Sequence, residues 1–264
     1  MKKRILIFCG VLLAMSLTAF AFISWNDQVE TSSSKSIVSN TLVAEDLNIN
    51  VFSDFFYNVD TRFGAIKKSD VDKARSITDF LQKKQTQQIV SYKSVKITIL
   101  EDSKQTDISE TGHSSTLTAA QIKLLNSTDY STNILIRADY LESNKTTSTL
   151  TQSYATPHLT IVPEKQAIYT SGKDALIDYL KENSKEITII VENDKLQPAK
   201  LYFTVTKKGH ITNVKLVTTS GYPSIDKRMI ELITKAPGKW EPAENTKGEK
   251  VDQELVFSFG LMGC

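Results

Sequence analysis

A long apolar run, Ile5 to Trp25, follows the basic start Met1-Lys2-Lys3-Arg4. This order is typical of a segment that directs the following chain across a membrane and leaves its positive end in the cytoplasm. Two fates stay open for residues 1–25. Cleavage after Ala21 would make the segment a signal peptide, because Thr18-Ala19-Phe20-Ala21 offers an A-x-A-like site. An apolar run of about 20 residues is also long enough to remain as a membrane anchor, residues 5–25.

Polar residues dominate the next stretch, and aromatic residues follow it. Residues 26–48 include the run Thr31-Ser32-Ser33-Ser34-Lys35-Ser36, which is typical of a flexible tether. Beyond Val51 several aromatic side chains lie close together in the chain: Phe52, Phe55, Phe56, Tyr57 and Phe63. Large apolar side chains at this density need a core to cover them. We therefore expect this cluster to pack against a sheet rather than to stack on a ligand.

Residues 49–165 alternate between strand-like and helix-like patterns. Ser69 and Asp72 fit a capping box, which predicts a helix from Ser69 to about Lys84. Thr118 and Gln121 fit a second capping box before a short helix. The β-branched and alternating runs predict strands at 90–100, 133–141 and 159–162, with a polar loop at 101–115. We interpret this part as a small β-rich unit, either α+β or sandwich-like.

Residues 166–264 give a clearer order of elements. Ser171 to Asp174 fits a capping box at the start of a helix, and 187–191 is a short strand-like run. Apolar and polar residues alternate through 201–205, Gly209 supplies a tight turn, and 211–219 returns as the partner strand. A helix begins at Pro223, and a last strand occupies 251–259. The fold class predicted for the chain is α+β, with a C-terminal three-stranded antiparallel sheet and two helices on one face.

Composition and charge exclude several functions. Lysine and arginine (32) nearly balance aspartate and glutamate (30), and no basic run follows Arg4, so we expect no nucleic-acid partner. The two cysteines, Cys9 and Cys264, and three scattered histidines fit no metal spacing, so we expect no metal and no cofactor. Cys264 is interpreted as an inert tail residue or as a handle for pairing between chains. No triad or phosphate loop occurs, and we expect no catalytic residue and no enzymatic activity.

A set of short motifs follows in order from Phe203 to the end of the chain. Its members are Phe203-Thr204-Val205, Gly209, Val214, Thr219-Ser220-Gly221-Tyr222-Pro223, Asp226, Trp240-Glu241-Pro242-Ala243, Gly248, Val251 and Val256-Phe257-Ser258-Phe259. Together they resemble the C-terminal domain of the TonB family, and the segment Gly172–Leu180 is similar to the helix that precedes it in Bacteroidetes-type members. The residues with structural roles by this resemblance are Gly209, Ser220, Gly221, Pro223, Asp226, Trp240 and Pro242.

The resemblance implies a Gram-negative envelope protein and a mode of binding. Family members are energy transducers that couple an inner-membrane ExbB/ExbD motor to outer-membrane TonB-dependent receptors. A receptor peptide adds a strand to an exposed sheet edge. By resemblance this edge is the last strand, and the partner-binding residues are Val251, Gln253, Leu255, Phe257 and Phe259. The location implied is the periplasm, with the chain either anchored in the inner membrane by residues 5–25 or soluble after cleavage near Ala21.

Two functions are compatible with these residues. The first is a TonB-type protein-binding module that engages an outer-membrane receptor or another envelope partner and transduces energy from ExbB/ExbD. The second is a periplasmic structural or interaction protein that uses the same fold without energy coupling. The second interpretation arises because the leader holds Ser16 but no histidine, and because a folded unit stands where members carry a Pro/Lys-rich spacer.

Overall fold

Two β-sheets with helices against them form the part of the chain that the structure describes. The computed structural model describes residues 55–144, 149–189, 191 and 195–262. The predicted leader, the tether and Cys264 lie outside this range. All of the described residues belong to one compact unit, Asn48–Cys264. The architecture is α+β, which confirms the predicted fold class.

The first part of the chain contributes strands to both sheets. Its elements are β1 (Phe56–Asp60), β2 (Gly64–Lys67), α1 (Lys68–Lys73), a 3-10 turn (Ile77–Phe80), α2 (Lys83–Thr86), β3 (Ile89–Glu101), β4 (Lys104–Gly112), α3 (Ala119–Asn126), β5 (Asn133–Ser143), β6 (Leu150–Ala155) and β7 (His158–Val162). Strands β2 to β7 form a six-stranded sheet in the order β2-β7-β5-β3-β4, with β6 also paired to β5. Val95, Ile97 and Ile136 are fully buried in the core of this sheet.

The predicted capping box at Thr118 is confirmed and ties α3 to the first sheet. The Thr118 hydroxyl accepts the backbone N–H of Gln121 at 3.1 Å, and the Gln121 side chain accepts the N–H of Thr118 at 2.9 Å. The buried Gln121 amide also donates to the carbonyl of Val95 at 2.8 Å. Both polar ends of this side chain therefore have partners inside the core, as buried amides require.

Two predictions for the first part of the chain are wrong. The single helix predicted from Ser69 to Lys84 is broken. Helix α1 follows the N-cap Lys67, which has no side-chain cap, so the capping box predicted at Ser69 and Asp72 is absent, and the helix ends at Lys73. Ser76 caps the separate 3-10 turn through a capping box with Asp79. The competing cap at Ser76 redirects the backbone before another helical turn can form. The polar stretch predicted as a loop contains β4, which pairs with β3 around the left-handed residues Asp102 and Ser103. An exposed hairpin arm needs little apolar alternation, which is why the pattern missed it.

The second sheet is built mainly from the C-terminal part of the chain. Its elements and their neighbours are β8 (Ile168–Tyr169), α4 (Lys173–Thr188), β9 (Pro198–Val205), β10 (Ile211–Thr218), α5 (Pro223–Thr234), β11 (Trp240–Glu241), β12 (Ala243–Glu244), β13 (Lys250–Val251) and β14 (Gln253–Gly260). The predicted strands at 201–205, 211–219 and 251–259 correspond to β9, β10 and β14. A fourth strand, β1, joins them in the order β1-β14-β9-β10.

The helix-facing side of this sheet forms the second core. Leu201, Phe203 and Val205 are fully buried, which confirms the alternation predicted for this strand. They pack with Phe257 and with Met229 of α5. Helix α4 contacts both α5 and β1, so the two helices cover one face of the sheet as expected. Among the described residues, no helix is both long enough and apolar enough to cross a membrane.

The predicted start and end of α4 need correction. Its N-cap is Gly172, with φ of 90° and no side-chain cap, so the capping box proposed for Ser171 is absent. The helix also continues through Ile187 and Thr188, which the sequence pattern assigned to a strand-like run. The side chain of Ile187 packs against the second core, and Thr188 is buried. Burial on the helix face therefore overrides the β-branched preference of these residues.

We expect Gly209→Ala to destabilise the chain more than Gly248→Ala. Both glycines have left-handed φ angles, 77° and 76°, so either alanine carries a backbone cost of about 1–2 kcal/mol. A Cβ at residue 209 would lie 2.5 Å from the carbonyl oxygen of Trp240, whereas residue 248 has no atom within 4 Å of that position. Overpacking should add at least about 1 kcal/mol to the loss at residue 209. Urea unfolding of the full chain measures both losses, and equal losses would contradict this reading of the turn.

Candidate functional site: a covered strand edge

A buried carboxylate organises the turn between β10 and α5. Asp226, in the first turn of α5, accepts the backbone N–H of Ser220 at 2.9 Å and the hydroxyl of Thr219. Pro223 occupies the start of the helix, and Gly221 has a φ of 85°. A Cβ on Gly221 would lie 2.5 Å from the Lys195 carbonyl oxygen, so only glycine fits. These residues fix the position of α5 over the sheet.

Trp240 closes one end of the second core. Its indole lies edge-on to the rings of Tyr169 and Phe203, with centroids 5.5 and 5.7 Å away. The backbone of Trp240 pairs with Tyr169 between β11 and β8, and its carbonyl lies beside Gly209. Pro242 lies beside the same turn, since its Cδ would be 3.8 Å from a Cβ on Gly209. The motif around Trp240 therefore packs against the β9–β10 turn and shapes the core end.

The side chains predicted to bind a partner are mostly buried. Leu255, Phe257 and Phe259 on β14 face the helices and belong to the second core. Gln253 is also buried, and its side-chain carbonyl accepts the N–H of Ala167 at 2.7 Å. Val251 lies outside β14, in β13, where it pairs with Ala243 of β12. A partner could therefore meet this strand through its backbone, but not through these side chains.

The prediction that the last strand is a sheet edge needs correction. Residues 256–260 of β14 pair antiparallel with residues 56–60 of β1, in unbroken register from Phe56↔Gly260 to Asp60↔Val256. On its other side the whole of β14 pairs with β9. The reason lies in the chain around the aromatic cluster, because Phe55, Tyr57 and Val59 alternate toward the second core. Val59 is buried there, and Phe55 and Tyr57 pack against it partly buried. Residues 256–260 therefore lie between two strands.

Tyr57 holds β1 under helix α4. Its hydroxyl lies 2.7 Å from the Ser184 hydroxyl, and its ring contacts those of Phe55 and Phe257 with centroids 4.9 and 6.4 Å away. Burial raises the pKa of Tyr57, and hydrogen bonds from Ser184 and Thr188 oppose that rise. The phenol therefore stays neutral and can both donate and accept inside the core.

Apolar burial contributes more to the hold on β1 than the ion pair at its end does. Val59 is buried, and burying a valine side chain stabilises by about 1.5–3 kcal/mol. Lys173 and Asp60 form an ion pair at 3.0 Å, but their side chains are 48% and 57% exposed. Exposed pairs of this kind contribute about 0–1 kcal/mol. The strand is thus held chiefly by Tyr57, Val59 and its backbone hydrogen bonds.

Beyond the end of β1, a serine side chain binds the next part of the β14 backbone. The hydroxyl of Ser131 accepts the backbone N–H of Glu254 at 2.9 Å. Ser131 has a left-handed φ of 67°, which is uncommon for a residue with a side chain. Sequence reasoning missed both this serine and β1. The alternation of Phe55, Tyr57 and Val59 could have indicated a strand, but no sequence signal indicates Ser131, because its role depends on a tertiary contact.

The opposite end of the sheet is irregular. Strand β10 pairs with β9, but its register shifts between Thr212 and Lys215 and again between Leu216 and Thr218. Asn213 in the first irregularity has a φ of 52°. Bulges twist an edge away from regular pairing, and lysine on an edge also opposes strand addition. The side of this sheet with unbroken register is therefore the one that β1 covers.

A cleft of about 410 Å³ adjoins the end of β1. Its walls include Val59, Asp60, Tyr169, Lys173 and Trp240. Most of these residues are apolar or supply apolar surface, and Lys173 stands at the cleft beside Asp60. The C-terminal end of β1 therefore forms part of the wall of this cleft.

The three histidines lie on different elements of the fold and have ordinary structural contacts. His113 and His158 hydrogen-bond through their rings to the carbonyls of Lys93 and Thr156, and the backbone N–H of His210 donates to Thr206 in the β9–β10 turn. Among the described residues, no group of three or more histidine, cysteine, aspartate or glutamate side chains is placed to hold a metal ion.

Comparison with known proteins identifies the C-terminal segment. Residues 198–261, which span β9 to β14, match the family model of the Gram-negative bacterial TonB protein C-terminal domain. This finding confirms the resemblance that the motifs indicated. No curated protein and no solved structure matches the chain.

We expect Glu254→Gln to stabilise the chain at neutral pH. Burial and the nearby Asp102 raise the pKa of the Glu254 carboxyl, with Lys215 opposing them. A raised pKa means that the folded state favours the protonated form, so the wild type loses stability as the pH rises through that pKa. The gain from glutamine should vanish below the ordinary value of 4.5.

Thermal unfolding at neutral pH and below that value measures the difference. Glu182→Gln, at an exposed position on α4, is the matched control and should show no comparable gain. A wild type that is more stable than Glu254→Gln at neutral pH would contradict the assignment, as would a difference that does not change with pH.

Proposed function

Starting from a TonB-type C-terminal domain at residues 198–261, we propose that this chain is a non-enzymatic periplasmic module that binds an envelope protein by strand addition. The partner class is an outer-membrane TonB-dependent receptor, and the binding edge is the side of β14 that faces β1. The chain is held in the periplasm by its leader or is released there by cleavage near Ala21.

The pairing of β1 with β14 is the observation that carries this proposal. It supports strand addition because residues 256–260 accept a five-residue strand in unbroken register. Leu255, Phe257 and Phe259 of β14 belong to the core beneath the helices, which leaves backbone groups along the strand edge to bond an added strand. Backbone pairing gives affinity in strand addition, and pockets for alternate side chains give specificity. The irregular β10 edge favours the β14 side over the other end of the sheet.

A second candidate function also has support. In it the chain is a periplasmic structural or interaction protein that uses this fold without a motor. The leader contains no histidine, and the protein's own strand covers the edge where a receptor segment would add. In this alternative β1 stays in place, and ExbB and ExbD are not partners.

Site-specific photocross-linking of the full chain in Gram-negative cells tests the proposal. One variant carries a photoreactive residue in place of Met262, which is 74% exposed and follows β14. The matched variant carries it in place of Thr218, which is exposed on β10 at the same end of the sheet. We expect TonB-dependent receptors to cross-link from residue 262 much more strongly than from residue 218.

The same samples separate the two candidates. Receptors captured together with ExbB and ExbD, on a chain that keeps its leader, support energy transduction. Receptors or other envelope proteins captured from residue 262 without the motor, on a chain that begins near Phe22, support the uncoupled alternative. Capture from residue 218 alone, or no envelope protein from either position, would contradict binding at the β14 side.

A further inference from the structure

Strand β1 comes from a distant part of the chain to complete the C-terminal sheet. Residues 56–60 precede the matched segment 198–261 by the whole of the first sheet. Among the described strands, β1 is the end strand of its sheet and pairs with β14 alone. Its position is the one that strand addition would use, which makes β1 an intramolecular equivalent of an added peptide.

The side chains of this segment define what the site accepts. Phe55, Tyr57 and Val59 point into the second core, while Phe56, Asn58 and Asp60 alternate with them on the other side. Tyr57, the middle of the three core-facing residues, also makes a polar contact, because its hydroxyl lies 2.7 Å from the hydroxyl of Ser184 on α4. A strand without large apolar side chains at these positions would leave cavities in the core.

Contacts of the residues that directly follow β1 allow this strand to detach while the first sheet stays intact. Residues 61–63 link β1 to β2, and β2 pairs with β7 in the other sheet. Arg62 is bonded to Ser103 at 2.8 Å, and the N–H of Phe63 donates to Thr160 at 2.9 Å. These contacts hold the chain that follows β1. Local opening of an end strand needs less free energy than unfolding of either core.

We propose that residues 55–60 are a resident strand, which a partner segment displaces from β14 by supplying the same alternation of side chains. The partner segment is an extended peptide that runs antiparallel to β14. It carries an aromatic residue at the position of Phe55, an aromatic residue with a hydroxyl at that of Tyr57 and a β-branched residue at that of Val59. This inference rests on the proposed function and adds the chemistry of the partner segment and the step that exposes the edge.

Competition within the chain sets the strength of binding. The resident strand is tethered to its site, so its effective concentration is far above that of a free peptide. A free peptide should therefore bind the wild-type chain weakly and bind a chain with a weakened resident strand much better. The double substitution Tyr57→Ser and Val59→Ser weakens the attachment of β1, because it removes two side chains that pack in the second core.

The probe is a fluorescent synthetic peptide with the sequence of residues 52–62 of this chain, followed by anisotropy. The control peptide has serine in place of Phe55, Tyr57 and Val59. We expect the weakened full-length chain to bind the probe at least tenfold more tightly than the wild type does, and not to bind the control peptide. If the weakened chain unfolds, recovery of its cooperative melting with the probe supports the proposal. A folded weakened chain that does not bind the probe, or an unfolded one that the probe does not restore, would overturn it.

A reversible lock tests displacement directly. Asn58 and Ser258 are aligned partners on β1 and β14, at a spacing within reach of a disulfide. The full-length variant carries Asn58→Cys and Ser258→Cys, with Cys9 and Cys264 changed to serine. After reduction it should bind the probe at least tenfold more tightly than in the oxidised form. Equal binding in both forms would overturn the proposal, because the probe would then occupy another surface.

Receptor cross-linking from residue 262 in the locked chain separates this inference from the proposed function. Receptor capture that the disulfide abolishes supports both. Receptor capture that persists in the oxidised form keeps the binding role and overturns displacement of β1. Probe binding that depends on reduction, with no receptor captured in cells, keeps strand exchange and contradicts the receptor-binding function.

Discussion

The arrangement of the C-terminal sheet depends on the pairing of β1 with β14. Without β1, residues 256–260 would expose a row of backbone donors and acceptors, and the sheet would offer an open edge for strand addition. With β1 in place, those groups are bonded and the side chains of Tyr57 and Val59 extend the core beneath α4. The same contact joins the two halves of the described chain, because β1 leads within a few residues into β2 of the other sheet.

The turns of the C-terminal segment hold this sheet in the shape that β1 fits. Asp226 binds the backbone at Ser220 and sets the start of α5. Gly209 allows the carbonyl of Trp240 to approach the β9–β10 turn, and Trp240 then packs on Phe203. Each of these residues fixes backbone rather than presenting a reactive group. Their arrangement suits a protein whose recognition surface is a strand edge and whose side chains build the support behind it.

Local patterns predicted much of this fold. The alternation around Phe203, the turn at Gly209 and the cap at Thr118 each follow from a short-range rule, and the structure bears them out. The break after α1 was missed because Ser76 caps a separate 3-10 turn inside the stretch that shows helical spacing. Strand β4 was missed because an exposed strand carries little apolar periodicity.

The candidate site was less predictable, since its main feature is a contact between distant residues. The aromatic cluster indicated that a core must cover Tyr57, but nothing local indicated which sheet provides that core. The resemblance indicated β14 as the binding strand without indicating that another part of the chain already pairs with it. Ser131, which accepts the N–H of Glu254, is a residue that only the tertiary structure reveals. The domain limits predicted at residues 165 and 166 stay a prediction, although β1 belongs to the C-terminal sheet.

Amide hydrogen exchange of the full chain tests the central claim most directly. In an antiparallel strand, successive amides point alternately to the neighbours on either side. If β1 covers β14, the amides of residues 256–260 should be protected, including those that point away from β9, and the alternate amides of residues 56–60 that point toward β14 should be protected with them. Exchange of alternate β14 amides at the rate of an exposed edge, together with unprotected residues 56–60, would contradict the account and leave β14 an open edge.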